Sequence, residues 1–421
     1  MLFQDATLAD DRVRDVRVTG ERVAAIGTLD PVDGERVIDA TGKRLLPGMI
    51  DTHVHFREPG FSHKETWTSG SRSAAAGGVT TVVDQPNTDP PTIDGEAFDR
   101  KAALAECSYV DYGINGGVTE SWDPDSLLER PLFALGEVFL ADSTGEMGID
   151  AELFETALGA ATETDTPVTV HAEDATLFDE AARERTDADA WSAFRTADAE
   201  IEAIERACAV ASEHDVEIHV AHTSTPEGID AATASGMSCE VTPHHLFLSR
   251  ADLPELGTHG RMNPPLRSER RRAAVFERAA DGTVDMVATD HAPHTRAEKD
   301  ADVWSAPSGV PGVETALPLL LAAAERGELS YERVRDLTAA NPAERFGLDS
   351  KGRIAEGNDA DLVLVDGTPE PIRGDALHTN CEWTPFEGME GVFPSLTLVR
   401  GSVVYEDGEF GERAGENVRL S

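Results

Sequence analysis

The stretch IDTHVHFREPG, residues 50–60, sets two histidines at alternate positions directly after an apolar run. Alternate residues of a β-strand share a face, so His53 and His55 project together from the strand's C-terminal end, and two imidazoles on one side suit a metal. Arg57 follows two residues later, ahead of a Pro-Gly break. Other apolar runs finish in the same way: Asn87 closes TTVVDQPN, and His171, His222 and Asp290 stand near the ends of PVTVHAED, EIHVAHTS and DMVATDHAP. Three histidine-bearing strands plus an aspartate supply the nitrogen and carboxylate mixture of a catalytic zinc site with an open position for water. Five such ligands are too many for one tetrahedral ion. Of one zinc ion or two, the ligand count favours two, with His53, His55 and Asp290 on one and His171 and His222 on the other. Two ions about 3.5–4 Å apart need a bridging anion, which has to come from a further strand.

These residues require a scaffold that gathers the ends of separate strands. From residue 47 to 350, short apolar runs alternate with longer helical patterns: GMIDTHVH, TTVVDQPN, DYGINGGV, LFALGEVFLA, PVTVHAED, EIHVAHTS, SCEVTPHH and DMVATDHAP. Eight strand–helix units of this kind predict an α/β fold, a (β/α)8 TIM-type barrel, which keeps its chemistry at the C-terminal ends of the strands. Residues 1–46 and 351–421 instead show short alternating strands with Gly-rich turns, each part too short to stand alone. They are expected to pair into one small β-sandwich domain, discontinuous in sequence.

The chain has 421 residues, of which 40% are hydrophobic, ample for a large core. Its net charge is -43, with the acidic residues spread throughout. Such a surface repels nucleic acid and anionic membranes, so the expected partner is a small-molecule substrate, with a homo-oligomer left open. It also suits concentrated salt, where a Debye length of about 3 Å at 1 M screens self-repulsion, and a halophilic source is expected. The four cysteines, Cys107, Cys208, Cys239 and Cys381, form no CxxC pair and read as reduced thiols. The N-terminal MLFQDATLADDRV lacks a basic segment followed by an apolar stretch, and no apolar run approaches 18 residues, so a cytoplasmic location is expected.

Taken in order, DTHVHFREPG, DQPNTDPP, VHAED, IHVAHTS, RMNPPLR and ATDHAPH resemble the amidohydrolase superfamily and, within it, the dihydroorotases, across essentially the whole chain. The resemblance implies metal-assisted, reversible opening of dihydroorotate to N-carbamoyl-aspartate, an early step in pyrimidine synthesis, with Asp290 as general base and then general acid. In the wider superfamily a carbamylated lysine at the end of strand 4 commonly bridges the metals, and some dihydroorotases use an aspartate. This sequence has no lysine there. LGEVFLADSTGEMG offers Glu137 at the lysine's place and Asp142 five residues later; Glu137 is the expected bridge, with a single-metal site as the other reading.

The dihydroorotate ring carries a carboxylate, for which a guanidinium fork is the best-matched partner, and Arg57 is placed to supply it. The resemblance adds Asn87 and His294 as further carboxylate contacts, Asn263 as a ring partner, and backbone groups near Pro311 and Gly312. It gives no ligand role to His219, His244, His245 or His291. Allantoinases and hydantoinases act on rings without that carboxylate; allantoinase-like sequences usually carry asparagine in place of Arg57 and lack the NPPLR form. A non-catalytic scaffold is the third reading, and it would normally have lost metal ligands that are present here.

Overall fold

In the computed structural model, which describes residues 1–140 and 147–420, each of the eight apolar runs contains a strand of a parallel barrel. The strands are β1 (Met49–Val54), β2 (Val79–Asp84), β3 (Asp111–Ile114), β4 (Leu135–Phe139), β5 (Val168–His171), β6 (Ile218–Val220), β7 (Ser238–Val241) and β8 (Met286–Val287). They form two hydrogen-bonded groups, β1–β3 and β4–β8. Parallel bridges from Gly116 to Leu135 and from Val54 to His291 close these groups into a ring. Every residue of β1 to β8 is buried, as expected of parallel strands sheathed by helices. The sheath includes Trp67–Ala76, Gly95–Ala105, Ala151–Thr164, Ala197–Glu213, Pro226–Ala234, Glu269–Asp281 and Ala316–Glu325. Their starts are set locally: the side chains of Asp94, Asp150, Thr196 and Ser268 each accept from a backbone N–H in the first turn. None of the described helices is long and apolar enough to cross a membrane.

The second unit is a nine-stranded sheet drawn from both ends of the chain. Strand Arg44–Pro47 pairs antiparallel with Leu362–Val365, setting Leu46 opposite Val363. The sheet packs around its own core, which includes Phe3, Val16, Leu45, Leu362 and Leu398. One residue, Gly48, separates this sheet from β1. A Cβ there would lie 2.2 Å from Thr80 Cγ2, so glycine alone permits so direct a passage. After Phe410 the chain leaves the sheet and returns to the barrel, where Asn417 pairs with Tyr112. Lys351 joins the two units: its Nζ lies 2.7 Å from Asp111 in β3 and 2.7 Å from Asp361 beside the sheet.

At the active face, a buried ion pair fixes the ends of β1 and β2. Lys101, fully buried on a sheath helix, donates to Asp84 Oδ2 at 2.7 Å and to the Gln85 carbonyl at 2.6 Å. The other oxygen of Asp84 accepts from Phe56 N–H at 2.7 Å. Removing the ammonium would strand a carboxylate in the core, so Lys101→Met is expected to cost about 3–5 kcal/mol of stability, measured by denaturant unfolding.

Candidate functional site

The C-terminal ends of five strands converge on one buried cluster. His53 lies within β1 and His55 just beyond it, Glu137 lies within β4, His171 ends β5, and His222 and Asp290 follow β6 and β8. Arg57, His222 and Asp290 adopt left-handed backbone conformations, with φ of 64°, 34° and 45°. Non-glycine residues rarely do so, at a cost of about 1–3 kcal/mol each, and such positions persist where surrounding bonds over-determine them. Here Asp51 holds the segment before Asp290 by accepting from Thr289 N–H at 2.9 Å and Thr289 Oγ1 at 2.6 Å. Burial pushes Asp51 up to about 7 despite these bonds.

Glu137 sits at the centre. Its Oε2 is 3.2 Å from His53 Nε2, while its Oε1 is 2.9 Å from His171 Nδ1 and 2.5 Å from His222 Nε2. Asp290 Oδ1 lies 3.0 Å from His55 Nε2 and 3.7 Å from His53 Nε2. The structure therefore brings together all six residues expected to bind metal. Two overlapping triads, His53–His55–Asp290 and His53–Glu137–His222, present donor atoms within 4.8 Å of one another.

The donor set fits divalent metal on three counts. Donors around a tetrahedral zinc are about 3.3 Å apart for bonds of about 2.0–2.1 Å, close to the 3.0 Å between His171 Nδ1 and His222 Nε2. His53 Nε2 is buried and makes no hydrogen bond among the described residues, although it faces two carboxylates. Third, the electrostatics demand a cation. Burial opposes charge on His53 and His171, yet the carboxylates around them outweigh it, raising His53 well above the ordinary histidine range and His171 to about 9. Burial likewise opposes ionisation of Glu137, but His222 and His53 drive it well below the usual carboxylate range. The positive charge drawn in by these carboxylates is the charge that a metal would bring.

Residues behind the cluster orient it, and these the sequence reading missed. Glu240 in β7 accepts from His53 Nδ1 at 2.8 Å and also bonds Thr52 and His219. Glu173 lies 2.9 Å from His171 Nε2 and is itself paired with Arg195. Gln85 Oε1 accepts from Glu137 N–H at 2.7 Å. Glu240 is a polar residue within an otherwise apolar strand, and that was the available signal, since a buried polar group in a parallel strand must find a partner; Gln85 and Glu173 follow the ends of β2 and β5 and carried no such signal. His219 points away from the cluster, toward Ser238 and Glu240. His245 bonds Thr242 and the Pro264 carbonyl, and His244 is buried against it with ring centroids 4.4 Å apart.

A cleft of about 30 Å³ runs outward from the cluster, lined by His55, Asn87, Glu137, Asn263, Asp290 and Gly309, with Arg57 on its wall. Arg57 is buried, and no carboxylate lies within 4.0 Å of it among the described residues; its Nε donates to the Pro293 carbonyl at 3.3 Å. Neither nearby Glu58 nor Glu65 pairs with it: Glu58 accepts from Trp67 N–H and Glu65 from Thr379. Asn87 Oδ1 contacts His55 Nδ1 at 2.7 Å, and Asn263 Oδ1 accepts from Trp191 at 2.9 Å. His294 Nε2 donates to the Ser308 carbonyl at 2.9 Å, leaving Nδ1 to accept from Lys64 at 3.1 Å. Pro311 and Gly312 are not among the cleft-lining residues. The Gly312 N–H is taken by His291 Nδ1 at 3.0 Å, and the cleft wall is formed by Ser308 and Gly309 instead. Asp142 lies outside the described residues.

Comparison with known proteins places this geometry among relatives. The model of the amidohydrolase family matches residues 44–404. A dihydroorotase of the halophilic archaeon Halobacterium salinarum is 68% identical over 421 residues, covering 99% of each chain. One from Methanosarcina acetivorans is 44% identical over 400 residues, covering 90% of this chain and 86% of that one. Among solved structures, the L-hydantoinase (dihydropyrimidinase) of Arthrobacter aurescens superimposes with a TM-score of 0.94 at 28% identity, over 99% of this chain and 98% of that one.

Glu240 gives the cluster a direct test. Glu240→Gln removes the charge behind His53 while keeping the shape of the side chain. It is expected to weaken metal retention about ten- to a hundredfold, read by competition with a chelator.

Proposed function

This chain belongs to the amidohydrolase family and, within it, to the dihydroorotases, and on that footing we propose that it interconverts (S)-dihydroorotate and N-carbamoyl-L-aspartate in pyrimidine synthesis. Members of this family depend on metal. We assign two zinc ions to the cluster, with His53, His55 and Asp290 on one side, His171 and His222 on the other, and Glu137 between them. Bound there, zinc would polarise the ring carbonyl and lower the proton affinity of the attacking water.

The chain's own residues do the rest. Asp290 is buried, which favours its neutral form, but the His55 hydrogen bond and the charge of His53 hold it down to about 2. It is therefore ionised at neutral pH and able to take a proton from water as the C–O bond forms. As the ring C–N bond breaks, Asp290 returns that proton to the departing nitrogen. In the opposite direction the same proton traffic closes the ring. Arg57, Asn87 and His294 hold the ring carboxylate, and Asn263 holds the ring itself. The partner is a small-molecule substrate, and we place the enzyme in the cytoplasm.

The observation that carries the choice of substrate is Arg57, a buried cation on the cleft wall with no carboxylate within 4.0 Å among the described residues. Allantoin and unsubstituted hydantoin would leave it unpaired. The hydantoinase-like reading rests on the close structural match to the Arthrobacter enzyme, which is a match of scaffold. Purified protein should open dihydroorotate and close carbamoyl-aspartate while leaving allantoin and hydantoin nearly untouched; comparable turnover of allantoin would defeat the proposal. Arg57→Met should raise KM for dihydroorotate roughly ten- to a hundredfold with metal content intact, matching the loss of about 1.5–3 kcal/mol in a charge-assisted bond.

The bridge is tested by counting metal. Glu137→Gln should lower occupancy to about one ion per chain or fewer, because a neutral amide is a poor bridge between two cations. Asp142→Asn should leave occupancy largely unchanged, and reconstitution should need no bicarbonate, since β4 carries no lysine to be carbamylated. The reverse pattern of metal counts would move the role to Asp142.

A further inference from the structure

Strands Leu362–Val365 and Leu396–Val399 are antiparallel neighbours, which a turn of about two to five residues could join. Instead residues 366–395 leave the nine-stranded sheet and reach the barrel. There the Thr379 hydroxyl donates to Glu65, His378 Nδ1 meets Glu314 at 2.7 Å, and Trp383 Nε1 donates to the His294 carbonyl at 2.8 Å. Trp383 is buried in a core that it shares with Met262, Leu266 and Val310. What this excursion covers is a lysine. Thr295, next after His294, accepts from the Glu298 N–H and so starts the short helix Arg296–Lys299. Lys299, its last residue, is fully buried, with Nζ 5.7 Å from the centre of the Trp383 ring.

The Lys299 ammonium donates to three backbone carbonyls, those of Arg261 and Pro307 at 2.9 Å and that of Gly309 at 3.0 Å. An ammonium has three N–H bonds, and here each has an acceptor. No carboxylate lies within 4.0 Å of it among the described residues, and burial together with the charge of Arg261 pushes the amine well below the ordinary lysine range. Such a cation is costly to bury, and its three bonds fall on two segments that reach the substrate cleft. Asn263, Ser308 and Gly309 all line that cleft. The Gly309 N–H also donates to the Arg261 carbonyl at 3.0 Å, so the two segments meet directly as well as through the ammonium. Ser308 lends its carbonyl to His294 Nε2 at 2.9 Å, and His294 in turn is held by Trp383. Gly309 has a φ of 127°, and a Cβ there would lie 2.6 Å from the Ala292 carbonyl, so the wall runs tight against the segment after β8.

We propose that Lys299 is a positioning residue for substrate binding: its ammonium, closed off by Trp383, holds the segment leading to Asn263 and the 307–309 wall in one arrangement around the bound compound. None of its three bonds reaches a residue assigned to metal, so its effect falls on binding and leaves the metal cluster alone. The inference rests on the proposed reaction for the identity of the compound, and on the geometry alone for the wall.

The test compares metal-loaded wild type with Lys299→Met, which removes the charge, and with the milder Trp383→Phe, which keeps an aromatic ring and gives up the bond to the His294 carbonyl. Kinetics are read in both directions in about 1 M potassium chloride. Because the equilibrium between ring and open chain is fixed, kcat/KM must change by the same factor in both directions. Lys299→Met should raise KM about tenfold for dihydroorotate and for N-carbamoyl-aspartate alike, with each kcat within about twofold and metal content per chain unchanged. Trp383→Phe should raise both KM values about threefold. Unchanged KM values, a fall in kcat alone, or loss of bound metal would overturn the assignment. Amide hydrogen exchange without any added compound reads the wall itself: the Gly309 amide should exchange about tenfold faster in Lys299→Met, while the amides of β4 and β5 keep their rates. Equal protection at Gly309, or protection lost throughout the barrel, would overturn the inference. Trp383→Phe carries the same readouts, at about threefold, if Lys299→Met does not fold. Turnover of neither compound by wild type would count against the proposed reaction, and the exchange rates would still decide the role of Lys299.

Discussion

A buried carboxylate ringed by imidazoles is stable only if positive charge is delivered to it, and the mouth of this barrel is organised by that requirement. Glu137 turns one oxygen to His53 and the other to His171 and His222, so each half of the ligand set meets a different edge of the same group. With zinc bound, the metal would carry the charge; otherwise protons on His53 and His171 must. Either way the cluster holds together as a unit, because removing any one partner leaves a desolvated charge behind.

That unit is fixed in place from behind. A continuous chain of contacts runs from Lys101 to Asp84, along the backbone to Gln85, and from the Gln85 side chain to the amide of Glu137 itself. On the opposite side Glu240 holds His53, and Asp51 holds the turn that presents Asp290. These supports come from elements other than those of the groups they orient: Lys101 from a sheath helix, Gln85 from the end of β2, Glu240 from β7 and Asp51 from β1. The left-handed backbone at His222 and Asp290 is thus over-determined by neighbours drawn from around the whole ring.

Much of this was legible in the sequence, because a parallel barrel strand announces itself as an apolar run and its useful residues come at the run's end. His53, His55, His171, His222 and Asp290 could be read in that way, and Arg57 followed from the charge its substrate would carry. Glu137 was reached through the place of a lysine in related sequences. Glu240 escaped because it sits inside its run and its partner His53 comes from a strand far away in sequence, and Glu173 because it lies just past His171, where the run has already ended. Gly312 shows a different limit: resemblance identified the segment, but the direction of one N–H depended on His291, which no spacing rule connects to it.

The nine-stranded sheet carries a consequence for how the molecule is made. Strand Arg44–Pro47 finds its antiparallel neighbour only in Leu362–Val365, so the whole barrel must leave the ribosome between the two. Until then the edge of Arg44–Pro47 that will meet Leu362–Val365 is open, with unpaired backbone groups ready to accept any strand that comes near. A dense negative charge along the nascent chain makes such strays repel one another. The acidity that suits the finished protein to brine would thus also act earlier, keeping unfinished copies apart while they wait for their own C-terminal strands.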